Sequence, residues 1–342
     1  MGTKPDELER LAQAGDTEAQ IAFGRHFESE QKCSHARAWY AKAAKQGSVP
    51  ALRLLAISLL TKTPIVARDG VNMIRSAAHK GDAEAAYVCA LLAAQDEGLE
   101  DRWAVARQCL EHAAERNWQP AAEQLAFLGE IGALEDPAAF VAPAHLRELS
   151  PSARVAAVEK FASDDICDWI ITHARPHIGR AFVYDRAGGG GRIEQARTNS
   201  AVTFDLVRSD LIVMMLRARI AATSGLPSDV LEATVVLHYA PGEEFETHVD
   251  FLDPSVPGYA EDLRVSGQRT ATFLLYLNGD YDGGETDFPE IGVRYKGRKG
   301  DALLFRNVLP DGRPDERMRH AGLPPTSGEK WLLSQWIRQR TF

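Results

Sequence analysis

The chain has 342 residues, 45% of them hydrophobic and 25% charged, and a formal net charge of −9. These proportions fit an ordinary folded polypeptide long enough for two domains, and exclude a largely disordered or collagen-like chain. The charge is −5 in residues 1–150 (16 Lys/Arg against 21 Asp/Glu) and −4 in the remainder (23 against 27), so neither half offers a basic surface for nucleic acid. Four cysteines, Cys33, Cys89, Cys109 and Cys167, form no C-x-x-C pair, and reduced, buried thiols are expected. The opening MGTKPDELER is charged and has no apolar core, and the longest strongly apolar run, Leu211 to Leu216, is far too short to span a bilayer. The expectation is a cytoplasmic protein with no membrane partner.

Residues 1–130 carry an alanine-rich phrase four times: LAQAGDTEAQ, AAKQGSVPAL, AAHKGDAEAA and AAERNWQPAA. Its turn position falls at Gly15, Gly47, Gly81 and Asn117, spaced 32, 34 and 36 residues apart. Gly and Asn tolerate the left-handed backbone that ends a helix. Asp16, Ser48 and Asp82 follow as candidate caps of the next helix. A helix–turn–helix unit at this period is a solenoid signature, and such units must stack to bury their apolar stripes. The A-x-x-G-x-x-x-A core and the aromatics Trp39, Tyr40 and Tyr87 resemble Sel1-like repeats, relatives of the tetratricopeptide repeat. Gly70 and Asn72 interrupt what would otherwise read as a longer helix. His35, His79 and His112 have no partner at metal spacing and read as solvated repeat residues. The repeats suit either a surface for docking or homodimerisation, or a cap that merely supports the second domain.

Residues 131–153, with Pro137, Pro143 and Pro151, read as a linker containing one helix near Ala144 to Leu149. The second domain then occupies residues 154–342. Ser163 to Arg175 has a cap candidate and helically spaced apolar residues, and Asp210 to Ser224 is a second helix with methionine as core filler. Between them, Gly188 to Gly191 lack the Lys-Ser/Thr of a phosphate loop and suggest a lid over a substrate entrance. Many short strands follow with turn signals between them: ATVVLHYA, FETHVDF, RTATFLLYLN, GGETDF, VRYKGRKGDALLF and KWLLSQWIRQR, with DPSVPGYAEDLRVSG as a loop. Strands at this density indicate a sandwich or barrel.

Within this run, His248 and Asp250 are two residues apart and share a face if the segment is a strand. With His320 they supply two imidazoles and a carboxylate, the facial set that holds non-haem Fe(II) and leaves positions open. Lys330, ten residues after His320, can meet a carboxylate of a bound diacid. Zinc accepts the same three ligands, but gives Lys330 nothing to do.

His248, Asp250, His320, Lys330, Tyr239, Gln268 to Thr272, Gly283 to Thr286 and Trp336 together resemble the prolyl-4-hydroxylase branch of the 2-oxoglutarate/Fe(II) oxygenases, over roughly residues 150–342. The resemblance implies an α+β multidomain chain: helical repeats followed by a double-stranded β-helix, or jelly-roll, with flanking helices. It implies Fe(II) on His248, Asp250 and His320, and 2-oxoglutarate held by Lys330 with Thr272 and Tyr239. O2 is the oxidant, and ascorbate is a candidate reductant. The products are succinate, CO2 and a hydroxylated substrate. The presence of Asp250 favours hydroxylation over halogenation, because related halogenases lack this carboxylate. Arg192, Arg197 and Trp336 are candidate substrate contacts, with surface arginines and a plain core tryptophan as the alternatives. The substrate is either a free cyclic amino acid such as proline or pipecolate, or a prolyl residue of a peptide or protein. The competing class is a non-catalytic interaction protein with a relic barrel.

Overall fold

The computed structural model describes residues 5–60, 64–152, 154–181, 183–184, 191–192 and 197–341. The chain divides into two compact units, Met1–Pro137 and Ala138–Phe342.

The first unit is helical. Its elements are α1 (Pro5–Gln13), α2 (Thr17–Ser29), α3 (Cys33–Lys45), α4 (Val49–Leu60), α5 (Pro64–His79), α6 (Ala83–Gln95), α7 (Arg102–Glu115) and α8 (Gln119–Glu130). The expected turn residues all adopt left-handed backbone, with φ of +97° at Gly15, +91° at Gly47 and Gly81, and +62° at Asn117. Asp16 and Asp82 cap α2 and α6, each accepting a backbone N–H three residues on at 2.8 Å; Ser48 makes the same contact more loosely, at 3.4 Å. Alanines 43, 51, 77, 85, 90, 106, 113 and 121 are fully buried, so the crossings are close. Tyr40, buried among them, donates its hydroxyl to Glu28 at 2.8 Å. Buried Arg53 of α4 pairs with Asp82 at 3.0 Å and Glu84 at 2.6 Å, joining one repeat to the cap of the next. Gly70 does not interrupt α5. A Cβ there would meet the Ala56 carbonyl at 2.9 Å, so glycine is what lets α5 lie against α4.

The second unit begins with α9 (Pro137–Val141), β1 (Arg147–Ser150) and β2 (Val155–Val158), then α10 (Asp164–Ala174), β3 (Gly179–Arg180), β4 (Val183–Tyr184), β5 (Gly191–Arg192), β6 (Ser200–Phe204) and α11 (Leu211–Ser224). It continues with β7 (Thr234–Tyr239), β8 (Phe245–His248), α12 (Ala260–Ser266), β9 (Arg269–Tyr276), β10 (Asp282–Gly283), β11 (Thr286–Phe288), β12 (Val293–Tyr295), β13 (Ala302–Arg306), β14 (His320–Gly322), β15 (Pro325–Ser327) and β16 (Lys330–Arg338). One sheet of eight strands runs β1-β2-β13-β9-β16-β7-β6-β3, and a second of four runs β12-β11-β14-β8. The two sheets close on a shared core in which Phe288 of the smaller sheet meets Phe305 of the larger, edge to face at 5.1 Å. Helical repeats followed by a two-sheet antiparallel β unit with flanking helices is the expected architecture.

Three expectations are corrected. The helix read near Ala144 to Leu149 is instead strand β1, antiparallel to β2; pairing at the edge of a large sheet overrides local helical preference. The linker therefore includes the first strand of the sheet, and the units part at 137/138. The stretch read as a loop, residues 253–267, contains α12. Cys33 is exposed rather than buried. The glycine run falls largely outside the described residues, of which only Gly191 belongs to a strand. Among the described residues, no helix is long and apolar enough to cross a membrane.

Alternation assigns the faces of the larger sheet. Val235, Leu237 and Tyr239 of β7, Leu274 and Tyr276 of β9, and Leu332 of β16 point between the sheets. On the other face, buried Gln335 accepts from Arg217 of α11 at 3.0 Å and from Thr234 at 2.7 Å, which ties the helix to the sheet. The hairpin into β13 turns at Gly300, with φ +82°, where a Cβ would lie 2.2 Å from the Ala162 carbonyl oxygen. Gly300→Ala should therefore destabilise the β unit by about 2–3 kcal/mol, read as a lowered midpoint of urea unfolding; an unchanged midpoint would show that this close approach is not obligatory.

Candidate active site

Strands β8 and β14 pair antiparallel with His248 opposite His320, so the ladder itself sets the two imidazoles side by side, ring centroids 4.3 Å apart. β8 stops at His248 and Asp250 lies just beyond it, not within a continuous strand as alternation suggested. The carboxylate still turns back to the histidines: Oδ1 lies 3.7 Å from His248 Nε2, and Oδ2 lies 3.7 Å from His320 Nε2. One donor atom from each residue falls within 4.8 Å of the others, the one such cluster among the described residues.

Each ligand is held from behind. His248 Nδ1 donates to the Glu246 carbonyl and His320 Nδ1 to the Met318 carbonyl, both at 2.8 Å. A carbonyl can only accept, so each Nδ1 carries the proton and each Nε2 lone pair faces its neighbours, as metal binding requires. Phe245 stacks on His248 at 3.5 Å. Surrounding protein and the neighbouring His320 push the His248 pKa down, which keeps it neutral. Burial would raise Asp250, but His320, His248 and the Thr272 hydroxyl outweigh it and hold the carboxyl below its ordinary range. Two imidazoles whose Nδ1 atoms are tied to backbone carbonyls, together with a carboxylate, form a donor set suited to a divalent first-row ion.

Thr272 does something other than expected. Its hydroxyl donates to Asp250 Oδ2 at 2.7 Å and accepts from Asn307 at 2.9 Å. It is committed to orienting a metal ligand, and is not a free donor for a diacid. Thr286, in the GGET phrase, does line the cleft, its hydroxyl bonded to Tyr276 at 2.8 Å.

Lys330 opens β16 opposite Tyr239 and faces the same cleft. It is fully buried, and its Nζ has no hydrogen-bond partner. The ammonium sits over the Tyr239 ring at 4.9 Å and the Tyr276 ring at 6.0 Å. Gly284, with φ +69°, leaves room for its stem: a Cβ there would touch Tyr281 at 2.8 Å and Lys330 Cδ at 3.4 Å. Burial lowers the Lys330 pKa to about 7, with Glu285 opposing. A buried cation with three unused donors is what a carboxylate-bearing cosubstrate would complete, and a zinc site would leave it without purpose.

Arg197 and Trp336 also line the cleft. Arg197 is buried, donates to Asn199 at 2.9 Å and lies over Phe245 at 4.6 Å. The Trp336 indole N–H is buried without a partner, and Arg269 lies 4.0 Å over its ring, fixed in turn by Glu232 at 2.7 and 2.9 Å. The expected Arg192 contact lies outside what the structure describes, which for this residue is its backbone place in β5. The sequence reading missed Asn307 and Phe245: a second-layer amide and a stacking ring have no fixed spacing to their partners.

Residues 234–338 match the family model of the 2OG-Fe(II) oxygenase superfamily. A probable prolyl 4-hydroxylase 7 of Arabidopsis thaliana is 34% identical over 218 residues, covering 58% of this chain and 67% of that protein. The chain belongs to the prolyl 4-hydroxylase-like 2OG-Fe(II) oxygenases. A solved relative is the viral collagen prolyl hydroxylase of Paramecium Bursaria Chlorella virus-1 in its 2OG complex, 25% identical, covering 56% of this chain and 99% of that one at a TM-score of 0.43. A Sel1 repeat protein from Oxalobacter formigenes matches 38% of this chain and 53% of its own at 22% identity and a TM-score of 0.32.

For this oxygenase, Fe(II) with 2OG and O2 supplies the oxidation of a C–H bond, and His248, Asp250 and His320 are the residues that would hold the ion. The chain's own contribution is to turn both Nε2 atoms toward one point and to orient the carboxylate. Thr272→Val should weaken Fe(II) binding about 10–100-fold with the fold retained. Anaerobic calorimetry would measure it, and wild-type affinity would show that the Thr272 bond does not orient Asp250.

Proposed function

We propose that this oxygenase hydroxylates a prolyl residue carried in a peptide or protein, in preference to free proline or pipecolate, with 2-oxoglutarate anchored on Lys330. One observation supports the choice of substrate. A free cyclic amino acid brings both a carboxylate and a cationic ring nitrogen, and a closed pocket would have to neutralise both. Among the described residues, the cleft offers Arg197 and Lys330 as cations but no acidic side chain beyond Asp250, which is committed to the metal. In a peptide the ring nitrogen is an uncharged amide and needs no such partner. Leu237, Phe245, Leu274, Leu332 and Trp336 give the apolar walls a pyrrolidine ring would contact. The prolyl 4-hydroxylase names of the Arabidopsis relatives point the same way.

Incubation with Fe(II), 2-oxoglutarate and ascorbate, followed by mass spectrometry, should show a gain of one oxygen on proline-containing peptides and little on free proline or pipecolate. Efficient oxidation of the free amino acids with none on peptides would reverse the assignment. His248→Ala should abolish succinate formation with every substrate.

Lys330 also gives the reaction a pH signature. A carboxylate is bound by the ammonium form, and that form is lost as pH rises through about 7 in the free protein. The apparent affinity for 2-oxoglutarate should be full below pH 7 and fall above it by up to about tenfold per pH unit. Lys330→Met should raise the KM for 2-oxoglutarate about 30-fold or more. Lys330→Arg, which stays charged, should flatten the profile between about pH 7 and 9. A slope that persists in Lys330→Arg would assign the titration to another group.

A further inference from the structure

We propose that a second cavity, on the outer face of the larger sheet of the oxygenase unit, binds a small multiply charged oxyanion, a phosphorylated or polycarboxylate molecule. The cavity measures ≈ 540 Å³ and is lined by residues 145–148, residues 154–156, Leu304 and Arg306. That volume lies within the range of about 300–1,000 Å³ common for small-molecule sites. It is separate from the iron cleft. Along β13, Leu303 and Phe305 enter the core between the sheets, so Leu304 and Arg306 face the other way.

Its charge is one-sided. Arg154 and Arg306 contribute guanidinium groups, against the single carboxylate of Glu148. Arg147 also borders the cavity, but it shares a face with Leu303 and its guanidinium turns to Glu159 at 3.4 Å. Arg154 and Arg306 are half-buried. Each is tethered by one bond to a carbonyl: Arg154 to Val308, and Arg306 to Ser224 at 2.6 Å. A tethered guanidinium keeps its other N–H donors in a fixed orientation, suited to bidentate capture of phosphate or carboxylate. Neither makes an ion pair with a described residue. Asp315, which Arg317 and to a lesser extent Arg154 hold below the ordinary carboxylate range, is already chelated by Arg317 at 2.7 and 2.8 Å. Arg154 reaches its place from a left-handed backbone, φ +54°, which side-chain-bearing residues rarely adopt. Two guanidinium groups held half-buried and facing one cavity repel each other until an anion enters.

The test is calorimetric titration of the full-length, metal-free protein with inorganic phosphate and, separately, with citrate. Saturable binding of either is expected, and which of the two binds more tightly tells phosphate from carboxylate recognition. Arg154→Gln and Arg306→Gln should each weaken it about tenfold or more, while Lys330→Met, in the iron cleft, should leave it unchanged. Should Arg306→Gln fail to fold, Arg154→Gln alone carries the test. No saturation with either anion up to about 10 mM, or undiminished binding in folded Arg154→Gln, would overturn the assignment, as would loss of binding in Lys330→Met.

Discussion

A single ammonium, buried and without a hydrogen-bond acceptor, constrains the centre of this molecule. An uncompensated charge at that depth costs on the order of several kcal/mol, and the fold spends sequence to keep it. Lys330 starts a nine-residue strand that is buried along most of its length, so its stem cannot swing out to water. Tyr239 and Tyr276 offer it ring faces rather than lone pairs. Gly284 withholds a side chain that would crowd it. Such an arrangement is unfavourable for an empty protein and favourable for one that receives a diacid. It turns a generic pair of sheets into a cleft with polarity: a cation at one wall and three metal-binding side chains at another.

The metal-binding residues illustrate how little of such a centre lies in the ligands. His248 and His320 come from neighbouring strands of the smaller sheet, and the ladder register alone sets their separation. Their tautomers are decided by backbone carbonyls of Glu246 and Met318, available because of how the chain bends just before each histidine. Asp250 is aimed by Thr272, a residue of the opposite sheet, which is itself gripped by Asn307. The two sheets must therefore close on one another before the third ligand has a defined direction. Cleft and fold are one cooperative object, because the core residues that join the sheets also position the donors.

The helical unit follows a simpler rule. Each repeat contributes a left-handed turn and a face of alanines, three of the four add a side-chain cap, and each is completed by the next. Arg53 shows the coupling at side-chain level, since it neutralises the same aspartate that caps α6. Local signals and local packing agree here, which is why this unit was legible almost residue by residue.

What the sequence determined by itself was whatever depends on short range. Turn glycines need positive φ, caps need an oxygen at a set position, and strands alternate. The first His of the H-x-D pair, the second His and the Lys also keep their places because rigid strands carry them. Tertiary structure decided the rest. Residues near 144–149 became an edge strand because a sheet was there to pair with. Gly70 proved to be a helix contact rather than a break. Thr272 was assigned to the metal ligand rather than the diacid once the position of Asp250 was known. The deciding partner lies 5–10 residues away for β1, 14 for Gly70 and 22 for Thr272, and the interaction that selects it is a packing or hydrogen-bond contact with no fixed sequence separation.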